Sequence, residues 1–149
     1  KITFRLYPRN DSGINLKDYF SAVINFDNSK TRALMFKKYL LFVYTYNSTG
    51  FIELWSLNIP CILLMEEENW FVNKLSRIHF LNLKDSCLLF SDIADFEAFL
   101  NKNLDSLNDW WNLADVQSAK NNFVDLYAKK TSSEFFPDDI IKTEEIFDC

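Results

Sequence analysis

The chain has 149 residues, of which 48% are hydrophobic, 17% aromatic and 25% charged, and this composition predicts a single folded domain. Of its two glycines, Gly13 and Gly50 lie too far apart for a G-x-G-x-x-G turn or a Walker A loop, which argues against classical dinucleotide folds and P-loop nucleotidases. The net charge of −5 lies entirely in residues 131–149, so the body is neutral and carries no basic stripe for nucleic acid.

Four short apolar runs predict strands, and segments of helical spacing separate them. The predicted strands are Ile2–Tyr7, Leu40–Tyr46, Ile59–Met65 and Cys87–Phe90. The predicted helices are Ser29–Lys38, Ser48–Leu57, Trp70–Lys84, Asp92–Leu104 and Asp115–Lys130. The middle two strands are almost continuously apolar, as in a parallel sheet covered on both faces. This alternation predicts an α/β fold with a Rossmann-like, doubly wound and mostly parallel sheet.

Helical spacing also predicts which side chains are buried, and one long stretch carries no such pattern. Residues 13–28 are expected to form an exposed loop. The residues expected on buried helix faces include Phe51, Leu54, Trp55, Phe71, Leu75, Ile78, Ile93, Phe96, Phe99, Val116, Phe123, Leu126 and Tyr127. Cys61 and Cys87 sit in apolar runs and are expected to be core residues of a protein from a reducing compartment.

The chain opens directly on a strand, and four strands are few for a doubly wound sheet. We therefore expect residues 1–130 to be a Rossmann-like domain that lacks an upstream part. Residues 131–149 hold six acidic side chains against Lys142 and form an acidic tail, which is either a solvated terminus or a strip that docks on a partner. The cysteines suggest a reducing compartment, so a cytoplasmic location is expected, and no run approaches the roughly 18 apolar residues of a membrane span.

Two predicted strand ends carry residues suited to binding an anion, and ligands of open α/β sheets bind beyond the carboxyl ends of strands. At the first, Pro8 stops the strand and Arg5 and Arg9 flank its exit. Arginine matches phosphate oxygens in a bidentate manner. The alternative is that Arg9 is a solvated loop residue and Pro8 only a turn.

At the second strand end, Asn47, Ser48 and Thr49 precede a helix and supply N-cap chemistry. Free backbone N–H groups at that helix start favour an anion, and Gly50 would let a ligand approach the backbone closely. Glu53 has no partner for a capping box, so its carboxylate could accept hydrogen bonds from sugar hydroxyls. An ordinary N-cap with a nearby acidic residue explains the same residues.

Several sequence blocks resemble a known bacterial family over roughly residues 1–130. The blocks are Arg-Leu-Tyr-Pro-Arg, the segment Asn47–Pro60, Asn-Asp-Trp-Trp-Asn around Trp110 and Trp111, and Val-Gln-x-Ala-Lys-x-x-Phe. In this order they are similar to the C-terminal part of transferases of surface-carbohydrate, O-antigen-type biosynthesis. The first two blocks also resemble the His-Pro and Ser-Ser/Thr motifs of bacterial sialyl-, polysialyl- and glycerophosphate-transferases, which hold a cytidine nucleotide. Here Tyr7 stands where those enzymes have His.

The resemblance implies the donor-binding half of a GT-B-like glycosyltransferase, inactive without its N-terminal domain. Arg9, Asn47, Ser48 and Thr49 would hold the donor phosphate, supported by Arg5, Pro8 and Gly50, and Glu53 would hold ribose or sugar hydroxyls. No catalytic base is assigned, since such folds take it from the other domain. The implied partners are a nucleotide sugar and a carbohydrate or lipid-linked acceptor at the inner face of the membrane. Neither a cofactor nor a metal is expected.

Other candidate residues have plainer explanations. His79 lies on an amphipathic helix and is expected at the surface or core edge. Residues 66–68 are three glutamates that could ligate a metal or face a helix dipole. Trp110 and Trp111 suggest packing, with sugar stacking as the alternative. A non-enzymatic α/β module that binds phosphate or a partner, or an interaction domain that uses the acidic tail, remains the rival to the transferase.

Overall fold

The computed structural model describes residues 3–4, 25–26, 32–70 and 72–128. Contacts divide the chain into two compact units, residues 1–38 and 39–149, and each is described by itself. The predictions for Arg5, Pro8, Arg9 and the acidic tail 131–149 lie outside the described residues.

In the first unit, two short strands pair in parallel. Strand β1 (Thr3–Phe4) pairs with β2 (Asn25–Phe26), with Thr3 opposite Asn25 and Phe4 opposite Phe26. Helix α1 (Arg32–Lys38) follows, and its last turn carries two lysines that suit the negative end of the helix dipole. The expectation that residues 13–28 form only a loop was wrong, because β2 lies within them. A two-residue strand is too short to produce a periodic signal.

In the second unit, three strands form a parallel sheet in the order β3–β4–β5. The strands are β3 (Phe42–Tyr44), β4 (Cys61–Leu64) and β5 (Leu89–Phe90). Phe42 lies opposite Cys61 in the first pair, and Leu63 lies opposite Leu89 in the second. The predicted parallel pairing of the second and third apolar runs is therefore confirmed, and the fold is α/β.

Helices connect and follow these strands. They are α2 (Thr49–Ser56), α3 (Arg77–Asp85), α4 (Ile93–Asn103), α5 (Leu107–Trp111) and α6 (Ala114–Tyr127), with short 3₁₀ turns at Glu67–Asn69 and Leu104–Ser106. Helix α2 crosses from β3 to β4, and α3 crosses from β4 to β5. None of the helices in the described residues is long and apolar enough to cross a membrane.

An aromatic cluster holds α2, α3 and α6 together. Both α2 and α3 contact α6. The Phe123 ring of α6 lies 5.8 Å from Phe51, 5.5 Å from Trp55 and 5.4 Å from Phe80, mostly edge to face. The buried Trp55 indole donates to the Cys61 carbonyl at 3.0 Å, which ties the helix layer to β4. Such aromatic pairs stabilise a core beyond the area that they bury.

At the amino end of β4, Asn58 joins three elements. It ends α2 with φ of 57°, and the bonds from Asn58 N–H to Trp55 and from Ile59 N–H to Leu54 complete a Schellman turn. Its Oδ1 accepts from the buried Lys120 Nζ at 2.6 Å, and its carbonyl accepts from Trp111 Nε1 at 3.3 Å. Trp111 therefore anchors the C-terminal segment to the turn before β4.

The two indoles at residues 110 and 111 are packing residues. Trp110 is 5% exposed and Trp111 is 3% exposed, and the Trp110 ring lies 5.0 Å from Phe99. They offer little surface for stacking against a sugar, so the packing interpretation is confirmed over the stacking alternative.

Most residues predicted on buried helix faces are buried, but five are exposed. Leu75 and Ile78 are 84% and 54% exposed, and Ile93, Leu126 and Tyr127 are exposed too. The spacing that paired Leu75 with Ile78 assumed a helix from Trp70, but α3 begins at Arg77. Its buried face then falls on Phe80 and Leu83, one turn apart.

Candidate functional site

Helix α2 begins just past the carboxyl end of β3, where open parallel sheets bind ligands. Ser48 occupies the N-cap position with extended backbone angles, φ −146° and ψ 162°. These angles are suited to a capping serine, yet the Ser48 side chain makes no capping hydrogen bond. Ser48 therefore stands at the N-cap position, as the alternative interpretation predicts, but its side chain does not cap the first N–H groups of α2.

The Ser48 hydroxyl is buried and has no hydrogen-bond partner. A buried, unsatisfied hydroxyl costs on the order of 1–3 kcal/mol, so folded proteins rarely keep one without a reason. A second such hydroxyl, Ser91 Oγ, lies just past the carboxyl end of β5, along the same edge of the sheet. This edge therefore holds unused hydrogen-bonding capacity at two strand ends.

Of the other predicted site residues in this segment, Asn47 makes a structural hydrogen bond, whereas Thr49 and Glu53 are exposed on α2. Asn47 is exposed, and its Nδ2 donates to the Trp70 carbonyl at 2.7 Å, which joins the end of β3 to the turn after β4. Thr49 and Glu53 are exposed on α2. Asn47 thus has a structural role in which its amide nitrogen is already engaged.

The ring of Tyr44 lies so close to Gly50 that it leaves no room for a side chain at this position. A Cβ atom at this position would lie 2.5 Å from Tyr44 Oη and 2.8 Å from Tyr44 Cε1. The phenol of Tyr44 therefore lies directly against the first turn of α2. The expectation that Gly50 leaves room for a ligand is corrected here, because the Tyr44 ring fills that room.

A cleft of about 220 Å³ opens between α2, the turn before α3 and the end of α6. We call it the carboxyl-edge cleft. Its polar rim consists of Asn47, Asn73, Ser76 and Tyr127, and the buried rings of Phe51, Phe80 and Phe123 form its floor. Small-molecule sites likewise combine apolar side chains with a few polar groups that orient the ligand.

Sequence analysis missed Asn73, Ser76 and Tyr127 at this cleft. Asn73 and Ser76 follow β4 in the chain, so their place after a strand was a usable signal. Asn73 Oδ1 accepts from the Ser76 N–H at 2.8 Å, which shapes the turn before α3. The His79 ring lies 5.9 Å from Tyr127, at the margin of the same region.

Other reactive side chains have structural explanations. Burial raises the pKa of the Cys61 thiol well above its ordinary value, which keeps it protonated. Burial also raises the pKa of Cys87, against a smaller lowering by Lys102. Glu67 pairs with Arg77 and Lys84 at the surface. Among the described residues, no group of three or more His, Cys, Asp or Glu side chains could hold a metal ion.

Comparison with known protein families identifies the chain. The model of the LIC12162 family transferase matches residues 1–138. The chain belongs to this transferase family. No curated protein and no solved structure matches it.

Within the described part of this transferase, residues of the blocks that carried the sequence resemblance lie at two ends of the β3–β4–β5 sheet. Ser48 and Gly50 lie at the carboxyl end of β3, while Asn58, Trp111 and Lys120 meet at the amino end of β4. Side chains of the second group are engaged with one another. The carboxyl edge, with its unpartnered hydroxyls and its cleft, is therefore the candidate site of the transferase.

Proposed function

We propose that this chain is the nucleotide-sugar-binding domain of a glycosyltransferase that acts in bacterial surface-polysaccharide biosynthesis. The observation that carries the proposal is the buried, unpartnered hydroxyl of Ser48 at the uncapped start of α2. A phosphate oxygen at this point would accept hydrogen bonds from the hydroxyl and from the free N–H groups, and the helix dipole favours its charge. Membership of a transferase family supports a group-transfer reaction.

The fold that the proposal assumes is Rossmann-like and GT-B-like. The parallel order β3–β4–β5 with helical crossovers is one part of such a sheet. In this proposal the chain is the C-terminal half of the enzyme, and the N-terminal half supplies the acceptor site and the catalytic base. The transfer itself would be helped electrostatically, because α2 stabilises the negative charge that develops on the departing nucleotide.

The proposed roles of individual residues follow from their placement. Ser48 and the α2 backbone hold the donor phosphate. Thr49 and Glu53 are exposed on α2, and in this proposal they bind sugar or ribose hydroxyls. Asn47 suits phosphate less well, because one of the two N–H donors of its side chain already bonds to the Trp70 carbonyl and holds the amide in place.

Calorimetric titration of the full natural protein with CMP, CDP, UDP and GDP tests this function. We expect one of them to bind, and Ser48→Ala to weaken that binding by about 0.5–1.5 kcal/mol through loss of a neutral hydrogen bond. The matched control is Ser56→Ala at the other end of α2, where the hydroxyl bonds to the Ile52 carbonyl at 2.8 Å and affinity should not change. No binding of any of the four at millimolar concentration would contradict the proposal.

A further inference from the structure

We infer that the carboxyl-edge cleft binds the flat heterocyclic base of the donor nucleotide. This inference rests on the proposed function and adds to it the position and chemistry of base recognition. It depends on three observations: the rigid aromatic floor of the cleft, the fixed amides on its rim, and its junction with the start of α2.

The floor of the cleft is held in place by aromatic packing. Phe80 and Phe123 are buried, and their rings lie 5.4 Å apart. The Phe123 ring also lies 4.5 Å from Tyr127, whose own side chain is 41% exposed at the rim. These buried rings keep the floor rigid but offer almost no stacking face of their own, so the exposed ring of Tyr127 is the surface on which a flat ring can stack.

Two rim amides are oriented by hydrogen bonds to the backbone. Asn47 donates one N–H of its NH₂ group to the Trp70 carbonyl, which fixes the amide and leaves Oδ1 as an unused acceptor for a ligand. Asn73 presents Oδ1 to the Ser76 N–H, so its Nδ2 is the group that it can offer. The rim thus combines a fixed acceptor with a fixed donor, which complements the paired donor and acceptor on the edge of a nucleobase.

The size and position of the cleft fit a base rather than a whole nucleotide sugar. Its volume of about 220 Å³ is below the roughly 300–1,000 Å³ of pockets that enclose drug-sized ligands. Asn47 on its rim is the chain neighbour of Ser48. A base seated in the cleft would therefore leave its ribose and phosphates directed towards the start of α2.

The test separates base binding from phosphate binding. Calorimetry on the full natural protein would use neutral nucleosides (cytidine, uridine, guanosine and adenosine), their 5′-diphosphates and inorganic pyrophosphate. Asn73→Asp keeps the acceptor for the Ser76 N–H and removes the donor. We expect it to lower nucleoside affinity roughly three- to tenfold, the loss of one neutral hydrogen bond. Tyr127→Ala should lower it about tenfold by removing the stacking surface.

Matched variants control for charge and folding. Asn82→Asp makes the same change at an exposed position of α3, and Tyr127→Phe keeps the ring, so both should bind nucleosides within about twofold of the wild type. Pyrophosphate affinity should stay unchanged in Tyr127→Ala, which adds no charge, whereas Asn73→Asp is assessed with the neutral nucleosides alone, because its new carboxylate also repels phosphate. Unchanged nucleoside affinity in these two variants, or binding of pyrophosphate without any nucleoside, would overturn the inference and leave the phosphate site standing. A wild-type protein that binds no nucleotide would remove the proposed function itself.

Discussion

Helices α2 and α4 begin in the same way but are completed differently. Each starts just past the carboxyl end of a parallel strand, and each N-cap residue, Ser48 or Asp92, has an extended backbone. Asp92 Oδ1 accepts from Ala94 N at 2.7 Å and from Asp95 N at 3.3 Å. Ser48 makes no such bond. The same local geometry therefore produces a closed helix start in α4 and an open one in α2, and the open one lies beside the cleft.

The largest expected effect comes from giving α2 the cap that α4 has. Ser48→Asp should raise the free energy of unfolding by about 0.5–1 kcal/mol by capping N–H groups. It should also weaken binding of the best nucleoside diphosphate by more than about 1.4 kcal/mol, or tenfold, because the new carboxylate repels phosphate. Calorimetry and urea unfolding measure the two effects. Ser118→Asp on the exposed side of α6 adds the same charge elsewhere, and an equal loss of affinity there would refute a local effect.

Removing the existing cap of α4 should act on stability alone. Asp92→Ala should lower the free energy of unfolding by about 1 kcal/mol, because two N–H groups lose their acceptor. Urea unfolding measures this loss, and nucleotide affinity should stay at its wild-type value. Glu97→Ala, an exposed acidic position on the same helix, serves as the control. A drop in nucleotide affinity for Asp92→Ala would show that both helix starts serve ligand binding.

Gly50→Ala tests the contact between Tyr44 and the first turn of α2. Replacing a helical glycine with alanine ordinarily stabilises a protein by about 1 kcal/mol. Here the new Cβ would meet the Tyr44 ring, so we expect no gain in the free energy of unfolding. In a Tyr44→Ala background the same substitution should recover a gain of about 1 kcal/mol, measured by a double-mutant cycle. Equal effects in both backgrounds would show that the ring does not restrict this position.

The smallest expected effect is the change in thermal stability caused by Ser48→Ala. At an ordinary N-cap this change costs about 1 kcal/mol. Because the Ser48 hydroxyl is buried without a partner, we expect its removal to leave the melting temperature unchanged or to raise it slightly. Thermal unfolding without ligand measures this. A loss of 1 kcal/mol would mean that Ser48 caps α2 as Asp92 caps α4, and the contrast between the two helices would disappear.

Much of the second unit could be predicted from its apolar runs. Strands β3 and β4 are nearly continuous in apolar residues. That pattern correctly predicted both the position of the two strands and their parallel pairing. The predicted start of α3 at Trp70 is too early, since the helix begins at Arg77. Apolar spacing does not show that the Asn73 side chain holds residues 73–76 in a turn. The exposure of Leu75 and Ile78 follows from that start.

The candidate site was predictable only in part. Residue types identified the start of α2, but whether Ser48 caps its helix depends on the orientation of its hydroxyl, which no sequence pattern encodes. Asn73 and Tyr127 are 54 residues apart in sequence, and only the packing of α3 against α6 places them at one cleft. The contact of Tyr44 with Gly50 was missed for a related reason, since it depends on the ring's rotamer.

Trp70 gives this site an optical reporter of its own. Its carbonyl holds Asn47, and its ring lies 5.5 Å from Phe80, which forms part of the cleft floor. All four tryptophans of the chain are at most 5% exposed, so the free protein should show the blue-shifted emission of indoles shielded from water. A ligand entering the cleft would change the surroundings of Trp70 while the distant Trp110 and Trp111 stay as they are. Difference fluorescence against Trp70→Phe can therefore follow occupancy of this edge without any added label.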